Sequence, residues 1–137
     1  MNIYGDRQNS LGRDYSTAAA REAHAAALKA LDAQTLTAGP IIGGKLLAGV
    51  EARDVTNPYD RANIIGKTSD ATPEQVDAAV KKAAEAQVAW DKTLGAGRAP
   101  VLRAMADALE ADMDRLVALL SREAGKTLND GVAEVRE

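Results

Sequence analysis

The first place where residue types and spacing could do chemistry is a glycine-rich run that ends in lysine, Gly39-Pro40-Ile41-Ile42-Gly43-Gly44-Lys45. It fills the first seven places of a phosphate-binding loop, whose backbone N–H groups and lysine cradle phosphates. The eighth place calls for Ser or Thr, whose hydroxyl holds Mg²⁺, and here it is Leu46. A helix should also open at that point, yet Gly49 and the strand-like residues beyond it argue for a hairpin. Gly43-Gly44 suits a two-residue turn, because both central positions of such a turn take positive φ.

The other candidates for chemistry are thin. His24 is the only histidine and sits among small helical residues, with no Cys and no second His to share a metal. It reads as a surface helical residue. Ser16, Ser69 and Ser121 have no histidine at an evident relay position. Glu110, Asp112 and Asp114 form an acidic cluster, but helical neighbours two apart point in different directions and cannot converge on one substrate atom. They read as a solvated face. Met105 and Met113 lie on an apolar stripe and read as core filler. No cysteine is present, which excludes a disulfide framework, a thiolate metal site and a cysteine nucleophile.

Length and composition narrow the class. A chain of 137 residues makes one domain at most. Hydrophobic residues reach 46%, but much of that is alanine, with no Phe and one Trp. The expectation is a helix-rich chain with a thin core. A net charge of −3 argues against a nucleic-acid partner, which needs clustered Lys and Arg. The polar start, Met1-Asn2-Ile3-Tyr4-Gly5-Asp6-Arg7, lacks the apolar core of a signal peptide, and no apolar run is long enough to span a membrane. These features predict a cytoplasmic chain with no membrane partner.

Residues 1–14 read as a loose arm, and residues 16–34 as an alanine-rich helix capped by Asp14 or Ser16, with Leu28 and Leu31 its large apolar members. Pro40 to Ile42 and Lys45 to Ala48 can pair across the glycine turn. Ala52 to Thr56 and Ala62 to Lys67 are further strand candidates, separated by the Asn57-Pro58-Tyr59-Asp60 turn. Thr72, Pro73 and Gln75 open a helix over 72–93 with a T-x-x-Q capping box. Leu102, Met105, Leu109, Met113, Leu116, Val117 and Leu120 fall on one stripe of a second helix over 98–124. Pro100 places its start near Arg98 or Ala99, and Gly125 sits where a left-handed cap belongs. The two helices are expected to pack antiparallel across Thr93–Gly97, with Val80 and Val88 facing Leu109 and Leu102. A third helix begins near Thr127 to Asp130.

Taken in order, the hairpin, the Asn-Pro turn, Thr72-Pro73-Glu74-Gln75-Val76-Asp77-Ala78-Ala79-Val80, the long amphipathic helix and Glu123-Ala124-Gly125-Lys126-Thr127-Leu128 resemble the front of the aldehyde dehydrogenase superfamily over residues 39–137. The finer pattern is similar to the L-glutamate γ-semialdehyde (1-pyrroline-5-carboxylate) dehydrogenase module of the bifunctional proline utilisation A family. Tyr4-Gly5-Asp6-Arg7-Gln8-Asn9-Ser10-Leu11-Gly12 looks like the connecting stretch before that module.

The resemblance implies an α/β fragment dominated by helices. It would comprise an N-terminal hairpin, short strands and an antiparallel helix pair from the NAD-binding domain. Residues 1–38 would be the inter-module arm and helix, and 39–137 the incomplete start of the dehydrogenase domain. The parent enzyme would oxidise an aldehyde to an acid with NAD⁺ as a step of proline catabolism: a cysteine thiolate attacks, an oxyanion hole holds the charge, and a glutamate-activated water releases the product. FAD would belong to the parent's proline dehydrogenase module. The chain matches only segments that precede these parts, so no catalytic, cofactor-binding or metal-binding residue is carried over. Glu137 alone is held open, because the resemblance puts it on the helix that approaches the substrate mouth; an ordinary surface glutamate is the other reading. The expected partners are the remainder of the parent enzyme and, through exposed apolar helix faces, other copies of the chain. A self-contained helical interaction module remains the alternative. The expectation is truncation, since the last helix runs uncapped into Glu137.

Overall fold

The computed structural model describes residues 8–137. The Met1–Arg7 part of the N-terminal arm lies outside the described residues. The elements run α1 (Ala18–Asp32), β1 (Leu36–Ala38), β2 (Ile41–Ile42), β3 (Lys45–Leu46), β4 (Arg53–Thr56), β5 (Ile64–Thr68), α2 (Pro73–Lys92), α3 (Gly95–Ala111), α4 (Met113–Ala124) and α5 (Leu128–Arg136). The chain is therefore helix-rich with few short strands, as expected. No described helix is long and apolar enough to cross a membrane. The described residues divide into two compact units, one of residues 8–33 together with 106–137, the other of residues 34–105, with α3 contributing to both.

In the second unit, β2 and β3 form the expected hairpin, with Ile41 opposite Leu46 and Ile42 opposite Lys45. Gly43 and Gly44 have φ of 60° and 77°, the left-handed values that only glycine adopts freely. A separate three-stranded sheet has the order β1-β5-β4, with β1 parallel and β4 antiparallel to β5. β1 is not among the strands expected from sequence: its three residues carry no local signal, and its pairing with Gly66 to Thr68 spans thirty residues. The close approach is possible because Gly66 has no side chain; a Cβ there would lie 2.6 Å from the Leu36 carbonyl oxygen. The turn between β4 and β5 is tied by the buried Asn57, whose Oδ1 accepts the Tyr59 N–H at 3.0 Å.

Thr72 caps α2 as expected. Its hydroxyl accepts the Gln75 N–H at 3.2 Å, and the Gln75 side chain accepts the Thr72 N–H at 2.9 Å. Gln75 also donates to the Ala48 carbonyl at 2.7 Å, fastening α2 to the segment after the hairpin. Two expectations for the following helix fail. It starts at Gly95 rather than Arg98 or Ala99, so Pro100 lies inside it. It also does not continue to 124 but breaks at Asp112, where φ −99° and ψ 10° leave the helical region. The Asp112 carboxylate makes no cap bond there because it holds the Arg115 guanidinium instead, Nε to Oδ2 at 2.8 Å.

The break divides the apolar stripe. Val88 on α2 and Leu102 on α3 are 60% and 61% exposed, so they are not buried against each other as expected, and Val80 is 65% exposed. Met113 and Val117, beyond the break, are fully buried.

The first unit is built on α4, which packs against α1 on one side and α5 on the other. Its core is Met113, Val117 and Val132, flanked by Tyr15, Leu128 and Val135, with Leu31 and Ala118 also buried. Gly131 lets α5 approach α4: a Cβ there would meet the Val117 side chain at 3.1 Å. Gly125 closes α4 in the left-handed conformation, φ 65°, as expected. Thr127 caps α5, its hydroxyl accepting the Asp130 N–H at 3.2 Å. The cap of α1 is Thr17, not Asp14 or Ser16. The Asp14 carboxylate instead accepts the Ser16 N–H at 3.0 Å, a turn that delivers Thr17 to the cap position.

Candidate functional site

The glycine–lysine run is a hairpin turn, and no helix opens after Lys45. The stem of Lys82 lies across it, so that a Cβ on Gly43 would fall 2.4 Å from the Lys82 Cε. Nothing there makes a phosphate cradle. The strand-to-helix turn of this unit, from β5 into α2, does not make one either. It lacks glycine, Pro73 at the helix start has no N–H, and the Gln75 N–H is taken by the Thr72 hydroxyl. An open groove of about 360 Å³ runs beside it, lined by Thr37, Leu46, Leu47, Lys67 and Ser69 among others. Its one charged group, Lys67, is engaged by Asp54 at 2.6 Å, so the groove offers no free charge to orient a ligand.

The acidic cluster diverges as expected, but it is not a solvated face: Glu110, Asp112 and Asp114 are all half-buried. Asp112 turns to Arg115, whereas Asp114 turns to Arg13, which donates from Nε at 2.9 Å and from a terminal nitrogen at 3.2 Å. The Asp114 hydrogen bond raises the Arg13 pKa above its ordinary value. Of the two methionines on the apolar stripe, Met113 is core, whereas Met105 is 59% exposed. Ser16 is exposed, and Ser69 and Ser121 are half-buried and belong to different units. Glu137 is the C-cap of α5; it is exposed, and its N–H donates to the Ala133 carbonyl at 3.1 Å.

His24 corrects the sequence reading: it is buried, not on the surface, at 7% exposure. Its ring meets Tyr15 edge-on, with centroids 5.7 Å apart. α1 is largely alanine, and His24 and Leu31 are its two buried residues. The His24 Nδ1, the Tyr15 hydroxyl and the Arg122 Nε are all buried without a hydrogen-bond partner. Burial lowers the His24 pKa; Asp114 pulls it back up and Arg122 pushes it further down. Burial also raises that of Tyr15, with Asp114 adding to it and Arg13 opposing. No local sequence signal could have found this group, since Tyr15, His24 and Arg122 meet only through the packing of α1 on α4.

Comparison with known proteins gives these elements a family. The Aldehyde dehydrogenase family model matches residues 48–137, and the chain belongs to that family. It is similar to the bifunctional protein PutA of Escherichia coli K12, at 35% identity over 136 residues, 98% of this chain and 10% of the relative. Among solved structures, PutA from Bdellovibrio bacteriovorus superposes with a TM-score of 0.89 at 26% identity, covering 96% of this chain and 14% of that one. The 1-pyrroline-5-carboxylate dehydrogenase from Thermus with bound NAD superposes with a TM-score of 0.88 at 25% identity, covering 99% of this chain and 26% of that one. The chain thus spans about a tenth of the curated relative's length.

Proposed function

We propose that this chain supplies the N-terminal scaffold of an NAD-dependent L-glutamate γ-semialdehyde (1-pyrroline-5-carboxylate) dehydrogenase acting in proline catabolism, in a cytoplasmic parent that also carries an FAD-dependent proline dehydrogenase. The observation that carries this reading is where the similarity begins. The likeness to PutA extends over 98% of the chain and so includes residues ahead of position 48, where the general family match starts. That front portion contains α1, the element that packs on α4. The same likeness supports this reading over the self-contained interaction module.

The role follows from what the residues can do. Without a cysteine the chain cannot form the covalent intermediate, so it is inactive alone. What it offers is a set of exposed apolar helix faces on α2 and the start of α3, carrying Val80, Val88, Leu102 and Met105, onto which the remainder of the enzyme packs. In the isolated chain those faces favour self-association. Glu137, exposed at the end of α5, is the one residue proposed to approach the substrate.

A chimera tests this. The matching segment of Escherichia coli PutA is replaced by this chain, and both activities are measured. The expected result is NADH formation from glutamate semialdehyde. A chimera that retains proline dehydrogenase activity but oxidises no aldehyde would overturn the reading.

A further inference from the structure

The hold of α1 on the rest of its unit is light. α1 is largely alanine, and Leu31 is its one fully buried large aliphatic side chain. Beside it stand the buried His24, the half-buried Leu28, the Arg122–Asp32 ion pair at 2.8 Å, and the Arg13–Asp114 pair that fixes the segment leading into the helix. Of these, only the imidazole changes charge between about pH 5 and 8 without a perturbing partner.

The geometry points to a proton-operated latch: protonation of His24 weakens the seat of α1 on α4 and releases α1 together with the segment that precedes it. The imidazolium carries a proton on Nδ1 as well as on Nε2, and Nδ1 is buried with no hydrogen-bond partner among the described residues. The charged and titratable groups that face it are accounted for from each side. On α4, Asp114 attracts an imidazolium but is engaged by Arg13 and makes no hydrogen bond to the ring, and Arg122 repels it. From the segment before α1, Tyr15 presents a ring edge and a hydroxyl with no partner, and Arg13 adds a second positive charge beside Asp114. On α1 itself, Asp32 is committed to Arg122. The direction follows from linkage. The folded pKa of His24 lies below the unfolded value because burial opposes the charge. The detached helix therefore binds the proton more readily, and docking is fully present above the unfolded pKa of about 6.5 and is lost as pH falls below it. This inference stands apart from the proposed enzyme, since it needs only the helices of one unit.

Hydrogen exchange of the full chain tests it, read at about pH 7.5 and about pH 5.5 and corrected for intrinsic exchange. Protection of α1 is expected to fall by up to roughly tenfold per pH unit in that window, the limit for one proton. Protection of α2 should stay constant, as its unit contains no histidine. His24→Phe, which keeps an aromatic ring against Tyr15, should abolish the α1 response, and His24→Gln should do the same. An unchanged α1 in the wild-type chain, or a response that survives in either variant, overturns the latch. Should neither variant fold, NMR of the single histidine decides. Its titration must coincide with the loss of α1 protection, and a ring that titrates while α1 stays protected refutes the proposal.

Discussion

Arg13 and Asp114 stand 101 positions apart in sequence and are joined by two hydrogen bonds, at 2.9 and 3.2 Å, from one guanidinium to one carboxylate. The pair ties the segment before α1 to the first turn of α4. Both side chains are about one-third exposed, so solvent screens them, but the bidentate geometry keeps more of the interaction than a loose surface pair would.

Replacing Asp114 by Asn should therefore cost about 1 kcal/mol of stability. A smaller loss is expected in high salt, where the wild-type pair is itself weakened. Urea unfolding of both proteins at low and high ionic strength measures this. An equal loss at both salt concentrations would mean that hydrogen-bond geometry, not charge, holds the segment.

Met105 and Met113 look alike in sequence and should behave differently. Met113 is 1% exposed between α4 and α5, so Met113→Ala removes core volume and should cost 2–5 kcal/mol, roughly the range for such truncations. Met105 is 59% exposed, and Met105→Ala should stay within about 0.5 kcal/mol of the parent. Thermal or urea midpoints of the two variants distinguish them.

The contrast between those two residues marks what sequence could and could not carry. Signals confined to a few neighbours were legible: the Thr72–Gln75 capping box, the Gly43-Gly44 turn, the Asn57-Pro58 turn and the left-handed Gly125. What depends on a distant partner was not. The stripe from Leu102 to Leu120 is continuous in sequence, but Asp112 gives its carboxylate to Arg115 and the helix breaks there, so only the second half reaches a core. β1 exists because Gly66, thirty residues on, leaves room for it. His24 is buried because α1 packs on the distant α4, a contact written in no local pattern. Of the candidate site, sequence read correctly that the lysine run is a turn and that the acidic cluster diverges.

Gly66→Ala should remove β1 from its sheet. Its Cβ would stand 2.6 Å from the Leu36 carbonyl oxygen and 2.9 Å from the Leu36 Cβ, and backbone cannot swing aside as a side-chain tip can. A loss of 1–3 kcal/mol is expected, roughly the cost of overpacking. Gly44→Ala is the control. Nothing lies within 4 Å of its Cβ position, so only the positive φ of 77° is penalised, at about 1 kcal/mol. Equal losses in the two variants would argue against the close β1–β5 approach.

The isolated chain should self-associate through the faces that the rest of the enzyme is proposed to cover. On α2, Val76, Val80 and Val88 are each at least half exposed, and so are Leu94 just before α3 and Leu102 and Met105 within it. Contiguous apolar surface beyond a few hundred Å² drives association in water. Sedimentation velocity over a range of concentrations should show mass rising with concentration. Val80→Lys with Leu102→Lys should shift the distribution toward monomer while leaving the first unit's core, Met113, Val117 and Val132, untouched. A chain that stays monomeric at high concentration with its wild-type sequence would mean that these residues do not present a face able to bind another copy.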